Sequence, residues 1–193
     1  MAVDLDGTLI AGNSLHEYLK AAMTLRHPGR TLEIIALLGL RSLRLISHSR
    51  MKFTLLRHIK ADDRLKTKFL RKIDALRRES VTKKIEEYKA EGARILLATA
   101  AADFYVEWLW DGPFVATETT ENRELKECRG KEKLKRVREQ LEPGEILEAV
   151  ITDHHDDLPL LLAGAAANYL VAPSAKTEAQ LEKAGVAYTT LSS

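Results

Sequence analysis

Three short apolar runs in this chain each stop on a small polar residue. Ala2-Val3 runs into Asp4, Ile95-Leu96-Leu97-Ala98 into Thr99, and Val150-Ile151-Thr152 into Asp153. Continuous apolar runs of this length are expected of strands in a parallel sheet that is covered on both faces. Phe114-Val115-Ala116-Thr117 and Tyr169-Leu170-Val171-Ala172 read the same way. The segments between them have helical spacing: about Ala102 to Trp110, 131 to 141 with Leu134, Val137 and Leu141 as its apolar stripe, Leu158 to Ala166, and about Thr177 to Ala184. Strand, helix, strand, repeated, predicts an α/β fold, a three-layer doubly wound parallel sheet. In such a sheet functional residues collect at the carboxyl ends of the strands, where Asp4, Thr99 and Asp153 stand.

One block breaks the alternation. From Ser14 to about Gly92 the pattern is helical throughout. Ser14 with Glu17 reads as a capping box opening the first helix, and Pro28-Gly29 as its end. A second helix is expected from about Thr31 to Ser47, followed by helices near 50 to 60, 63 to 77 and 79 to 91. The run Ile34 to Leu40 is the most apolar part of the block, but its seven residues are far too few to span a bilayer. The default reading is a buried helix hairpin, and the minority reading is an interfacial helix edged by Arg41 and Arg44. The block therefore reads as an inserted all-helical cap domain at 12–91, with 1–11 and 92–193 forming a Rossmann-like core domain.

Composition fits a folded chain: 45% hydrophobic and 30% charged over 193 residues. The single Cys128 excludes an intramolecular disulfide and points to a reducing, cytoplasmic compartment. Only three residues precede Asp4, so no signal peptide is seen, and the first strand is short unless the natural chain begins earlier. Net charge is +2, but residues 41 to 72 carry eleven Lys and Arg against Asp62 and Asp63. Such a stretch attracts phosphates, anionic lipid or nucleic acid, although a solvated outer helix face accounts for it equally simply.

Asp4-Leu5-Asp6-Gly7-Thr8 is the most informative segment. Two carboxylates two residues apart project to one side of a strand. Buried together they are costly unless a divalent cation or a lysine supplies the opposite charge. Gly7 permits a tight departure from the strand, and Thr8 adds a hydroxyl. An acidic turn would account for Asp6-Gly7 but not for Asp4, because Asp is depleted in strand interiors.

With these residues in view, the chain resembles the haloacid dehalogenase superfamily, in its phosphoserine-phosphatase-like branch with a helical cap after the first motif. Asp4 to Thr8 matches the Asp-x-Asp-Gly-Thr motif. Thr99 matches the Thr or Ser that ends a hydrophobic strand. Cys128-Arg129-Gly130-Lys131-Glu132-Lys133 resembles the Cys-x-Gly-x-x-Lys form, and Asp153-His154-His155-Asp156-Asp157-Leu158-Pro159 matches the acidic cluster. The resemblance implies Asp4 as nucleophile, Asp6 as acid and base, Thr99 and a lysine as phosphate-holding groups, and Mg²⁺ held by Asp4, the Asp6 backbone carbonyl, Asp153 and Asp157. Spacing from Gly130 favours Lys133 over Lys131 as the site lysine. Asp156 reads as a bystander and Cys128 as packing. His154, where a small residue is more usual, would narrow the site, titrate near neutrality or recruit another ion. Direct ligation by His154 and His155 is the minor reading, because adjacent residues seldom face the same way.

The function implied is a Mg²⁺-dependent phosphomonoester hydrolase acting through an aspartyl-phosphate, on a small phosphorylated metabolite such as phosphoserine. A lipid phosphate such as phosphatidylglycerophosphate is the alternative substrate. An anion- or nucleic-acid-binding module is the alternative from another class. A small-molecule ester is the expected partner. Nucleic acid and a transmembrane segment are not expected, and peripheral membrane contact is left open.

Overall fold

The computed structural model describes residues 1–24, 27–59, 61–119 and 126–192, the side chains of 48 and 49 excepted. Lys60, counted above in the basic stretch, lies outside these residues. Six strands form one parallel sheet: β1 (Ala2–Val3), β2 (Leu96–Ala102), β3 (Phe114–Thr117), β4 (Ala149–Thr152), β5 (Ala167–Val171) and β6 (Thr189–Leu191). Their order is β3-β2-β1-β4-β5-β6. β1 therefore sits between β2 and β4, with Val3 opposite both Leu97 and Ile151. This is where the strand order reverses, so the carboxyl ends of β1, β2 and β4 open into one crevice.

Side-chain alternation along the strands explains the layers. Val3, Leu97, Ile151 and Val171 pack into one apolar cluster, while Ala2, Leu96, Ala98, Val150 and Leu170 pack into another on the opposite face. The second cluster is closed by Val137 of α7 (Lys131–Glu139), Leu160 and Leu161 of α8 (Leu158–Leu161) and Leu181 of α9 (Ala175–Lys183). The first is closed by α6 (Asp103–Leu109) and by helices inserted between β1 and β2. These are α1 (Ser14–Ala22), α2 (Pro28–Ser42), α3 (His48–His58), α4 (Asp63–Asp74) and α5 (Glu79–Ala90). The chain leaves for α1 and returns from α4 through one pair of backbone bonds, Ala11 N to Leu76 O at 2.7 Å and Arg78 N to Leu9 O at 2.9 Å. Aromatic rings join the inserted helices to the layer over the sheet. Tyr18 of α1 lies 5.7 Å from Phe69 of α4 and 5.5 Å from Tyr105 of α6.

Several boundaries differ from those expected. The first helix is capped by Asn13, whose side chain accepts from His16 N, and not by Ser14. Asn is as good an N-cap as Ser, and the Ser14 amide is used elsewhere. That helix ends at Ala22; Pro28 opens α2, at a position where its missing N–H costs nothing. The second helix stops at Ser42 and not Ser47, because the chain turns through Arg44 at φ 59°. The strand expected to end at Thr99 continues to Ala102. The helix expected to reach Ala166 is only Leu158–Leu161, since Gly164 at φ 93° turns the chain toward β5. β6 was not expected. Thr189-Thr190-Leu191 has no apolar run, and pairing with β5 makes it a strand.

Phe69 is fully buried among these rings. Phe69→Ala should cost about 3–5 kcal/mol of unfolding free energy in a urea titration.

Candidate active site

β1 stops after two residues, and Asp4 follows directly, its amide donating to Ile151 O at 3.0 Å. Asp4 is thus pinned to β4 as well as to its own strand. The chain then turns sharply at Gly7, with φ at 80°. A Cβ there would lie 2.2 Å from Asp153 Oδ2, so only glycine lets the Asp153 carboxylate rest against the turn. Thr8 Oγ1 donates to Asp153 Oδ1 at 3.1 Å. Asp6 points toward the inserted helices, accepting from Ser14 N at 2.7 Å. The α1 terminus therefore orients Asp6.

Lys133 reaches this cluster from the first turn of α7. Its Nζ donates to Asp4 Oδ1 at 3.1 Å and to Asp157 Oδ2 at 2.8 Å, with both partners otherwise shielded from solvent. Thr152 Oγ1 donates to the same Asp157 oxygen at 2.7 Å. Lys131, two residues earlier, is exposed and does not line the cleft. Thr99 is fully buried; its Oγ1 accepts from Ala101 N at 3.1 Å, which leaves the hydroxyl proton available to the cleft it lines. Asp4, Asp6, Thr99, Lys133, Asp153 and Asp157 thus border one cleft of about 370 Å³.

Burial governs the electrostatics. It pushes the Asp4 carboxyl up to about 7, with Lys133 opposing the shift and Asp157, Asp153 and Asp6 adding to it. Asp6 and Asp153 are raised by burial too, against the hydrogen bonds from Ser14 and Thr8 respectively. Burial works against the Lys133 charge, but Asp157 and Asp4 more than offset it and hold its pKa above the ordinary lysine value. Burial pushes the Cys128 thiol up to about 11, in keeping with a packing role.

Lys52 was not expected here. It comes from α3, is buried, and donates to Ala100 O at 2.7 Å with Glu127 at 3.7 Å. The available signal was its place on the buried stripe of α3, with Leu55, Leu56 and Ile59. Asp156 pairs with Arg129 at 2.8 Å on the rim of the cleft. The expectation that His154 and His155 face apart does not hold. Their ring centroids lie 4.0 Å apart with the planes tilted by 35°, where the chain enters a 3-10 turn at His155–Asp157. With Asp156 they place potential ligand atoms within 4.8 Å of one another.

Because Asp4, Asp6 and Asp153 bind protons more readily when folded than when unfolded, their stabilising contribution is complete below about pH 4 and is lost as pH rises, the Asp4 part through about 7. Urea titrations in chelator should therefore show stability falling across that interval; a rise would contradict the assigned burial.

The family model for haloacid dehalogenase-like hydrolases matches residues 2–162. Comparison with curated proteins gave no match. Among solved structures, a Bordetella pertussis Tohama I protein of unknown function superposes with a TM-score of 0.75 at 18% identity, over 98% of this chain and 96% of that one. A phosphoserine phosphohydrolase-like protein from Francisella tularensis gives 0.56 at 20% identity, over 95% and 97%. A substrate-bound phosphoserine phosphatase gives 0.57 at 15% identity, over 93% and 88%. At these identities the superpositions speak for the fold alone. The family match runs from β1 through α8 and takes in all the cleft residues named above, and the chain belongs to the haloacid dehalogenase-like hydrolases.

Proposed function

We propose that the chain is a Mg²⁺-dependent phosphomonoester hydrolase that works through an aspartyl-phosphate on Asp4. The observation that carries the reading is the convergence of Asp4, Asp6, Asp153 and Asp157 on one buried cleft in which Lys133 pairs with two of them. Hard carboxylate oxygens in excess of positive charge suit Mg²⁺, and the Gly7 turn leaves room for the Asp153 carboxylate beside the Asp6 backbone. Asp4, the Asp6 carbonyl and Asp153 would hold the ion, with Asp157 nearby. When bound, it would polarise a phosphoryl oxygen and offset the charge of the approaching anion.

In this reading Asp4 attacks phosphorus. Asp6, oriented by Ser14 N and raised by burial, gives a proton to the leaving oxygen. It then takes one from the water that hydrolyses the acyl phosphate. Lys133 and the Thr99 hydroxyl stabilise charge on the transferring group. Residues 12–91 serve as the cap, closing over the intermediate and excluding bulk water. A cytoplasmic location belongs to the proposal and rests on the single Cys128.

A small metabolite such as phosphoserine remains the first substrate reading. It is supported by Lys52 beside Glu127, whose buried Oε1 makes no hydrogen bond among the described residues. Such a pair suits a zwitterionic leaving group. A lipid phosphate is the second reading, favoured by Leu15, Leu19, Leu38 and Met51 along the same cleft.

Phosphate release from phosphoserine and from a short-chain phosphatidylglycerophosphate, with Mg²⁺ and with chelator, tests the proposal. Asp4→Asn should abolish turnover, a loss of at least about 10⁴-fold, while circular dichroism is unchanged. Lys133→Ala should lower kcat by at least about 100-fold and Lys131→Ala should leave it within about twofold. Turnover that survives Asp4→Asn, or that needs no divalent cation, would overturn it.

A further inference from the structure

Helix α2 is apolar on the side it turns to water. Only Ile34 is buried among its residues, while positions 32, 35, 36, 39, 40 and 43 follow helical spacing along its exposed side. Those positions are Leu32, Ile35, Ala36, Gly39, Leu40 and Leu43, with no charged residue among them. The large ones, together with Leu45, are 38–71% exposed. A surface helix ordinarily shows its polar side outward, and a contiguous exposed apolar face marks an interaction site. The turn that ends the helix extends the face. Leu45 N donates to Leu40 O at 2.9 Å across Arg44, a geometry in which the residue at the Leu45 position ordinarily packs on the last turn. Here Leu45 stays in solvent.

Charge selects the occupant. Residues 27 to 50 carry Arg30, Arg41, Arg44 and Arg50 against one acid, Glu33, which is itself paired with His58. Arg41, Arg44 and Arg50 are exposed. An isologous contact with a second copy would set this basic patch against itself. Anionic lipid offers the opposite charge and an apolar boundary at the same surface. We propose that the outward face of α2 docks on an anionic bilayer surface, with its leucines and isoleucine in the headgroup–acyl boundary and its arginines against lipid phosphates. Leu38 of the same helix lines the cleft, so the docked helix is also a wall of the site. The inference stands on α2 alone and does not depend on which ester is hydrolysed.

Full-length protein is sedimented with vesicles of phosphatidylcholine, alone or mixed with phosphatidylglycerol, at low and high salt. Its mass is measured in parallel by light scattering. Binding to the anionic vesicles should exceed that to neutral ones by at least about tenfold and weaken with salt. The triple variant Leu32→Gln, Ile35→Gln, Leu43→Gln should lose at least about tenfold of that binding. It should keep the wild-type circular dichroism and the wild-type turnover of p-nitrophenyl phosphate. Arg41→Glu with Arg44→Glu, which leaves the apolar face intact, should abolish the anionic preference. Three results would overturn the proposal: no vesicle binding by wild type, binding untouched by both variants, or a wild-type dimer without lipid affinity that the triple variant turns into a monomer. Absence of turnover in wild type would count against the hydrolase reading and leave this one standing.

Discussion

One ammonium group joins two of the carboxylates of this cleft. Lys133 bridges Asp4, at the end of β1, and Asp157, in the turn after β4. Burying charge is tolerable only when it is paired and hydrogen-bonded, and removal of one partner from a buried pair costs about 3–5 kcal/mol. Asp157 meets the condition through Lys133 and Thr152. Asp4 meets it only in part, which is why its carboxyl is pushed to about 7. The imbalance is a property of the fold: a parallel sheet whose order reverses at β1 brings the ends of three strands together, and Asp4, Asp6, Asp153 and Asp157 all line the crevice they form.

The rest of the architecture serves that crevice. β1 has two residues, yet its neighbours on both sides fix its position, and Asp6, three residues after it, already meets the start of α1. Gly7 makes that turn possible while the Asp153 carboxylate takes the place a Cβ would need. The inserted helices are tied to the sheet by the cluster of Tyr18, Phe69 and Tyr105 and by Lys52 on Ala100 O. Their return through the backbone pair at residues 9–11 and 76–78 gives them a narrow point of attachment.

Asp4, Thr99 and Asp153 were legible because their signal is local: an apolar run followed by a small polar residue can be read without knowing the fold, although β2 runs on past Thr99 to Ala102. Lys133 against Lys131 was less so, yet Lys133 and Val137 share a buried stripe four residues apart, and helix phase separates it from the exposed Lys131. Lys52 was not legible from any motif, since it meets Ala100 across 48 residues of sequence. The close approach of the His154 and His155 rings also escaped, because it depends on a 3-10 turn that periodicity does not encode. β6 is a product of its neighbour's edge and has no strand pattern of its own. The apolar run in α2 was read as a buried hairpin by default, but tertiary packing leaves most of it in water.

The dependence on Lys133 is open to one direct measurement, the unfolding free energy of Lys133→Met against wild type in chelator at pH 5 and at pH 8. At pH 8 the variant leaves ionised carboxylates buried without their partner, and the loss should be about 3–5 kcal/mol. At pH 5 the Asp4 carboxyl, already raised to about 7 with Lys133 present, is protonated, so the part of the loss that belongs to the Asp4 pair should disappear and the total should be smaller by at least about 1 kcal/mol. A loss of the same size at both pH values would show that Lys133 contributes packing and not charge, and would contradict the account.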